Sequence, residues 1–412
     1  MQEKQNAYDI LKERGFIEQS TDEKALRELF GKKKVIFYSG FDPSGPNLHV
    51  GHLELLMAMI QISFHGHQPI ALVGGGTGLV GDPSDKDKTR PLNTLAKIKE
   101  NVASIKKEIE SILKTSGREV IVVNNGDWLK ELNYLEFLRD FGVHFSVNRL
   151  LTIEWIKNRL KTGLSFLEFN YQLLQAYDFW HLFKKYGCEV QLEGKDQWSN
   201  IIAGIELIRR IEDKEVYGIT IPLLTTASGK KMGKTESGAV FLSPQLTSAY
   251  EYYQFWINTE DKDVKKFLAL FTLLPMDEVK KLGSLKGEKI KQAKEVLAYE
   301  ATKIVHGEED ARKAMDASQA IFEKGNRDSG AMPTTLIKKE ELSGGIPVFK
   351  LFLIAKLCKS GGEATRLIKQ GGARLNNEKI ENFETLITEK QSKNGTITLQ
   401  VGKKKFHKLK IV

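Results

Sequence analysis

The chain is predicted to be an α/β protein whose parallel-sheet part is followed by an all-α part and then by a small basic α+β module. Three observations carry that prediction. From Val35 to Ile211, short β-branched or aromatic runs alternate with amphipathic helical stretches, as expected for a parallel sheet covered by helices. After about Ser243 the pattern is helical only. From Ile346 to Val412 there are fourteen Lys or Arg against five Glu, an excess equal to the net charge of +9 of the whole 412-residue chain. The preceding residues are therefore neutral as a body, and the basic end suggests a polyanion binder attached to something else.

The elements follow in order. Residues 1 to about 33 read as helical, with Ala7 to Arg14 and Thr21 to Leu29 amphipathic and Ser20 or Thr21 as an N-cap. Val35 to Tyr38 is a strand, and a helix runs from Leu48 through Ile60. Pro69 to Val73 is the next strand, followed by a long helix from about Leu92 to Thr115 and a strand from Glu119 to Val123. Helical stretches come around 130–140 and 166–186, then a strand at Val190 to Leu192 and a helix from about Gln197 to Ile211. The all-α part comprises Thr247–Asn258, Asp261–Leu270, Met276–Leu282, Gly287–His306 and Glu308–Lys324. Gly325 to Gly345, rich in Gly, Ser, Asn and Pro, reads as a linker. Beyond it, Phe349–Leu357 and Gly362–Gln370 are short helices, while Ala373–Leu375 and Thr396–Val401 are strands next to Asn376-Asn377 and Asn394-Gly395 turns.

Composition excludes several classes. Apolar residues at 41%, charged residues at 28% and a mean hydropathy of −0.32 fit ordinary cores in a soluble protein. The two cysteines, Cys188 and Cys358, make a disulfide framework improbable and suit a reducing compartment. No apolar run reaches membrane-spanning length, and the N-terminus lacks the apolar segment of a signal peptide, so a cytoplasmic location and no membrane partner are expected. His65, His67, His144, His181, His306 and His407 stand outside any Cys/His cluster, and no metal site is expected.

Three segments carry the chemistry. Tyr38-Ser-Gly-Phe-Asp-Pro-Ser-Gly-Pro-Asn-Leu-His-Val-Gly-His52 is a strand exit, a turn and a helix start. His49 and His52 fall in the first helical turn, where free N–H groups and the positive dipole end favour an anion, and Gly51 leaves room for a ligand ring. Gly74-Gly-Gly-Thr-Gly-Leu-Val-Gly-Asp82 matches a dinucleotide fingerprint at Gly76, Gly78 and Gly81. The context opposes that reading, since Asp82-Pro83 stands where a helix should run and no acidic residue ends a second strand about twenty positions on. The alternative is a flexible loop whose Thr77 and Asp82 point at a ligand, with Asp82 suited to an ammonium group and with Lys86, Lys88 and Arg90 within reach of phosphates. Ala227-Ser-Gly-Lys-Lys-Met-Gly-Lys-Thr-Glu-Ser-Gly238 resembles half of a P-loop, yet Gly229 and Gly233 stand four apart rather than five. A mobile loop bringing lysines onto a triphosphate fits better.

His49-Val-Gly-His52 paired with Lys231-Met-Gly-Lys-Thr235 resembles the two signatures of class I aminoacyl-tRNA synthetases, His-Ile-Gly-His and Lys-Met-Ser-Lys-Ser. Within that class the chain resembles the bacterial-type tyrosyl-tRNA synthetases over its whole length, through Tyr38-Ser-Gly-Phe-Asp-Pro, Gly76-Thr-Gly-Leu-Val-Gly-Asp-Pro-Ser, Asn124-Asn-Gly-Asp-Trp, Tyr171-Gln-Leu-Leu-Gln-Ala-Tyr-Asp178 and Asp196-Gln-Trp-Ser-Asn200. The tail is similar to a small RNA-binding domain of a ribosomal small-subunit protein. The resemblance implies a Rossmann-like catalytic domain with N-terminal helices at 1–228, the lysine loop with an α-helical anticodon-side domain at 229–325, a linker at 326–345 and an RNA-binding domain at 346–412.

It also implies roles. Tyr38 and Asp178 would hydrogen-bond the phenol hydroxyl of tyrosine, and Asp82, Tyr171 and Gln175 its ammonium group, with Gln197 near the reacting carboxylate. Tyr171, Gln175 and Asp178 are spaced 4 and 3 on one predicted helix and so share a face. Asp42, Gly194 and Asp196 would meet the adenosine ribose, and Ser44, His49 and His52 would hold ATP. Lys86, Arg90, Lys231 and Lys234, with Thr235, would clamp the leaving pyrophosphate. ATP enters as a substrate carrying Mg2+, with no tightly bound cofactor, and the partners are tRNA(Tyr) and a second copy of the chain. The dimer would form through 130–165, where Phe141, Phe145 and Leu150 cluster, or these would simply pack the core. Arg366 and Lys369 lie three apart on one helix and could contact RNA phosphates. Two departures stand out: Glu193-Gly-Lys195 replaces the family's Gly-Gly-Ser and sets a charge pair beside the ribose site, and Gly233 and Thr235 stand in place of the two serines of the second motif; Asn125 is a further pocket residue. A tryptophan-specific relative and a catalytically idle RNA-binding paralogue are the alternatives.

Overall fold

The computed structural model describes residues 5–84, 93–227, 229, 232, 234–235, 238–322, 334–393, 395–402 and 405–412. It divides into two compact units, one of 1–247 with 256–305 and one of 248–255 with 306–412.

The first unit is built on a six-stranded sheet. Its strands are β1 (Gln19–Ser20), β2 (Ile36–Phe41), β3 (Gln68–Val73), β4 (Ile121–Asn124), β5 (Val190–Gly194) and β6 (Tyr217–Ile221), in the order β1-β6-β5-β2-β3-β4. All neighbours are parallel except the β1–β6 pair at the edge. The sheet strands expected from sequence are present, while the short edge strand β1 and the apolar run that forms β6 were not anticipated. Strand order reverses between β2 and β5, so a ligand crevice is expected there, outside the carboxyl ends. The register opens it. β2 stays paired with β3 as far as Phe41↔Val73, and β5 with β6 as far as Gly194↔Ile221, but β2 and β5 pair only at Phe37↔Val190 and Tyr38↔Gln191.

Helices α1 (Ala7–Arg14) and α2 (Glu23–Lys32) precede the sheet. α3 (Val50–Phe64) buries apolar side chains all round, from Val50 and Leu53 through Ile62, as a helix enclosed in a core must. α4 (Leu95–Leu113) follows β3, and the short α5 (Gly126–Leu129), α6 (Tyr134–Asp140), α7 (Val147–Leu150) and α8 (Glu154–Thr162) follow β4. α9 (Phe166–Tyr186) starts on a reciprocal Ser165–Glu168 capping box and ends at Gly187 in the left-handed region. A buried Arg159–Glu168 ion pair at 2.7 Å fastens its first turn to α8. α10 (Trp198–Glu212) follows β5 directly. α11 (Ala249–Ile257) begins the helical stretch, continued by α12 (Val264–Phe271), α13 (Met276–Gly283) and α14 (Ile290–His306). The buried Arg14 guanidinium donates to the carbonyls of Ala269 (2.8 Å), Thr272 (3.0 Å) and Leu274 (2.5 Å), tying α1 to the end of α12.

The second unit contains α15 (Glu308–Phe322) and a five-stranded sheet. Its strands β9 (Thr334–Ile337), β11 (Ala373–Leu375), β12 (Glu378–Lys379), β14 (Thr396–Val401) and β15 (Lys405–Ile411) lie in the order β12-β11-β14-β15-β9. β10 (Ile346–Pro347) pairs with β13 (Leu386–Ile387). Helices α16 (Lys339–Ser343), α17 (Val348–Ile354) and α18 (Gly361–Lys369) pack on the sheet around Leu342, Val348, Leu351, Phe352, Ala364 and Ile368. Of the segment expected as a linker, 326–333 lies outside the described residues. The rest carries β9 and α16: β9 runs parallel to β15, and Ile337 and Leu342 are buried in this core. Among the described residues no helix is long and apolar enough to cross a membrane, and no cluster of three His, Cys, Asp or Glu could hold a metal ion.

Candidate active site

The turn after β2 delivers the first site residues to the crevice. His49 is the N-cap of α3 and His52 is three residues on. His49 Nδ1 accepts from the Gly51 N–H at 3.0 Å, and the His49 N–H donates to His52 Nδ1 at 3.1 Å, so two imidazoles form the capping box. Because each Nδ1 accepts, each ring carries its proton on Nε2. Burial, then the neighbouring His49, lowers the His52 pKa to about 3, keeping that ring neutral. The rings are 4.0 Å apart. Gly51 serves the chain itself: a Cβ there would come within 2.8 Å of His49 Cε1, so the glycine admits the His49 ring rather than a ligand ring.

The structure brings the second motif to the first. Val50 N–H donates to the Val240 carbonyl at 3.0 Å and Leu242 N–H to Leu48 at 2.9 Å, while His49 bridges Phe241. On the incoming side, Ala227 N–H donates to the Asp263 carboxylate at 2.8 Å. Lys234–Thr235 forms a short strand, β7, paired with Gly238–Ala239, β8. Lys231, and likewise Lys86, Lys88 and Arg90, lie outside the described residues.

The glycine loop after β3 is shaped by packing rather than flexibility. Thr77–Leu79 is a turn of 3-10 helix, and a Cβ at Gly74 would meet Asp42 Oδ1 at 2.2 Å, one at Gly75 Asn124 Oδ1 at 2.1 Å. Thr77 does not point at a ligand: it is buried, with its hydroxyl donating to Asp42 Oδ1 at 2.9 Å and accepting from Asn125 Nδ2 at 3.0 Å. The other Asp42 oxygen accepts from the Tyr171 hydroxyl at 2.9 Å. Asp82 is half-buried, and burial, then the charge of Asp42, raises its pKa to about 6.

α9 lines the crevice with Tyr171, Gln175 and Asp178, all buried and on one face as its spacing requires. Asp178 accepts from Asn125 Nδ2 at 2.8 Å and from the Trp128 indole N–H at 2.7 Å. Its pKa nevertheless rises to about 7 because burial outweighs those donors. The Tyr38 hydroxyl, at the end of the intact β2–β5 ladder, is buried with no hydrogen-bond partner among the described residues. It lies within electrostatic reach of Glu193 and of Asp178.

The β5 end supplies the other bank. Gln197 Nε2 donates to Asp82 at 2.7 Å and to Asp196 at 2.9 Å. Asn200 Nδ2 donates to Gln175 at 3.0 Å and to Gln197 at 2.8 Å. One network therefore joins Asp178, Asn125, Thr77, Asp42 and Tyr171, and another joins Asp82, Gln197, Asn200 and Gln175. Gly194 is part-exposed, and Ser44 and Asp196 are exposed at the mouth. Trp128 and Asn200 were not singled out from sequence. The available signal was position: both stand in polar stretches directly past the ends of β4 and β5.

The expected charge pair is corrected. Glu193 and Lys195 do not pair with each other: the buried Glu193 carboxylate accepts from the Gly40 N–H at 2.8 Å, while exposed Lys195 pairs with Glu18. Positions two apart share a face only within a strand; β5 ends at Gly194 and Lys195 opens a 3-10 turn, which carries its side chain away from Glu193. Of the two readings open for Phe141, Phe145 and Leu150, core packing is the one seen: Leu150 is buried with Phe137, Ile156 and Tyr177, and partly buried Phe141 and Phe145 pack against them.

Known proteins with this arrangement define its class. The family description "tRNA synthetases class I (W and Y)" matches residues 31–323. The chain belongs to that family. The tyrosine–tRNA ligase of Clostridium botulinum (strain 657 / Type Ba4) is 52% identical over 98% of this chain and 99% of its own length. That of Acetivibrio thermocellus is 50% identical over 99% of this chain and all of its own. Among solved structures, a C-terminally truncated Aspergillus nidulans mitochondrial tyrosyl-tRNA synthetase superposes with a TM-score of 0.70 at 32% identity, covering 77% of this chain and 94% of that one.

Proposed function

We infer that the protein is a tyrosine–tRNA ligase. It activates tyrosine with ATP to tyrosyl-adenylate and pyrophosphate, then transfers the tyrosyl group to the 3′ end of tRNA(Tyr). The observation that carries the choice of amino acid is the pairing of the buried, unpartnered Tyr38 hydroxyl with Asp178. A carboxylate has about four acceptor positions, so Asp178 can take a phenol proton besides its two donors, while Tyr38 completes the pair. Phenylalanine leaves the Tyr38 hydroxyl unsatisfied and offers Asp178 no third donor. Asp82, Tyr171 and Gln175 receive the ammonium group, and Gln197 sits beside the carboxylate.

No side chain acts as nucleophile. The tyrosine carboxylate attacks the α-phosphorus in line, its oxygen forming the new bond as the bond to pyrophosphate breaks. The protein contributes positioning and charge stabilisation. The Nε2–H groups of His49 and His52 supply donors to phosphate oxygens. Asp42, Ser44, Gly194 and Asp196 hold the nucleoside end, and Lys86, Arg90, Lys231 and Lys234, with Thr235, take the pyrophosphate. Mg2+ arrives on ATP.

The 346–412 module is the RNA-binding part. Its Arg366 and Lys369 are exposed on α18, opposite buried Ala364 and Ile368, and Lys369 Nζ stands 5.2 Å over the Phe383 ring. The enzyme works as a homodimer in the cytoplasm. The pairing surface contains Leu135 and Val143, which are 74% and 71% exposed.

Amino-acid-dependent exchange of pyrophosphate into ATP, run across the twenty amino acids, tests the reading. Tyrosine alone should support exchange, and His52→Ala and Lys234→Ala should abolish it. Exchange with tryptophan would identify the tryptophan-specific relative, and no exchange with any amino acid would leave the idle RNA-binding paralogue.

A further inference from the structure

Among the described residues, Glu193 is the one buried carboxylate at the crevice that the proposed reaction leaves without a task. It stands at the point where the sheet divides. Below that point β2 and β5 are joined by backbone pairing at Tyr38↔Gln191. Above it the ladder stops, and Gly40 on β2 loses its strand partner across the gap. Its N–H is a donor that must be satisfied inside the protein. Glu193 Oε1 accepts it at 2.8 Å, and also lies 3.4 Å from Gln191 Nε2. A second side chain crosses the same gap, where Ser39 Oγ donates to the Leu192 carbonyl at 2.7 Å. The carboxylate oxygen rides so close over Gly40 that a Cβ there would approach it to 3.3 Å.

We propose that Glu193 is a positioning residue for ATP, tying the end of β2 to the end of β5 across their split and so setting the distance between the banks that carry Asp42 and Asp196. Gly40 is two residues before Asp42, and Glu193 three before Asp196. Both aspartates act on the Glu193 carboxyl electrostatically. Tyr38 belongs to the intact ladder beneath the split, so its backbone is held by strand pairing, although the Glu193 carboxyl also acts electrostatically on its hydroxyl. Burial pushes the Glu193 carboxyl well above the ordinary range, with Asp196 and Asp42 adding to the effect. A neutral acceptor of the same length should therefore serve equally well. The inference rests on the reading of this crevice as the site of tyrosine and ATP.

The test compares Glu193→Ala with Glu193→Gln in tyrosine-dependent pyrophosphate exchange, with the thermal midpoint measured in parallel. Glu193→Ala should raise the KM for ATP about tenfold with little change in the KM for tyrosine, since one buried donor is left unpaired at the nucleotide bank only. Glu193→Gln should restore the KM for ATP to within about twofold of wild type, because its amide oxygen still accepts from Gly40. An unchanged KM for ATP in Glu193→Ala overturns the proposal. So does an equal rise in both KM values with a lowered midpoint, which marks general loosening of the fold, and so does a glutamine variant as impaired as the alanine one. Wild-type protein without tyrosine-dependent exchange would instead overturn the functional reading.

Discussion

In the proposed reaction, selection of the amino acid comes down to a single hydroxyl on Tyr38. Asp178 is held by Asn125 and Trp128 whatever occupies the crevice, whereas the Tyr38 hydroxyl has no partner among the described residues. Tyr38→Phe should therefore cost little stability and weaken tyrosine in exchange assays by about tenfold, with a smaller loss for phenylalanine, so that the ratio of kcat/KM values between the two amino acids narrows. Competition assays at fixed ATP measure that ratio. The candidate residues were legible individually because their types announce chemistry. Their partners were not. That Thr77 serves Asp42 and Asn125, and that Gly51 admits the His49 ring, depends on side chains from distant segments and on distances no spacing rule supplies.

Among the elements, α3 presents a cost of enclosing a helix completely. Glu54 lies on it, buried, with one oxygen unpartnered, and burial raises its pKa from 4.5 to about 8 against a small opposing effect of Lys266. A raised carboxyl pKa stabilises the fold fully below the unfolded value, and that contribution is lost as pH climbs to the folded one. Wild type should therefore lose stability relative to Glu54→Gln between about pH 4.5 and pH 8, by at most about 1.4 kcal/mol per pH unit, and level off above. Denaturation midpoints of the two proteins over that range would show the widening gap, and a constant gap would contradict it. The longer helices could be read from apolar periodicity and caps, whereas α7, α8 and α16 were not. β6, β9 and β15 escaped such reading, since short strands acquire identity only from the neighbours that complete their ladders.

Across the whole molecule, the excess positive charge lies in one module and the proposed active-site residues in another. Replacing Arg366 and Lys369 together by Ala should leave pyrophosphate exchange untouched while weakening tRNA binding. The dependence of log affinity on log salt should flatten by about 1 to 2, one phosphate contact being lost per residue. Filter binding over a salt series, alongside exchange, separates the two effects. An unaltered slope would remove these residues from the RNA surface.

The sequence by itself determined the alternation that makes a parallel sheet, the helical stretch after it, the basic end, and the paired histidine and lysine motifs, because periodicity, net charge and residue type are local properties. Only the tertiary structure decided where β2 and β5 part, that Glu193 spans the parting, and that Asp178 is gripped from two sides. Those facts concern which distant groups satisfy one another's hydrogen bonds, and burial makes that matching obligatory without writing it into any single segment.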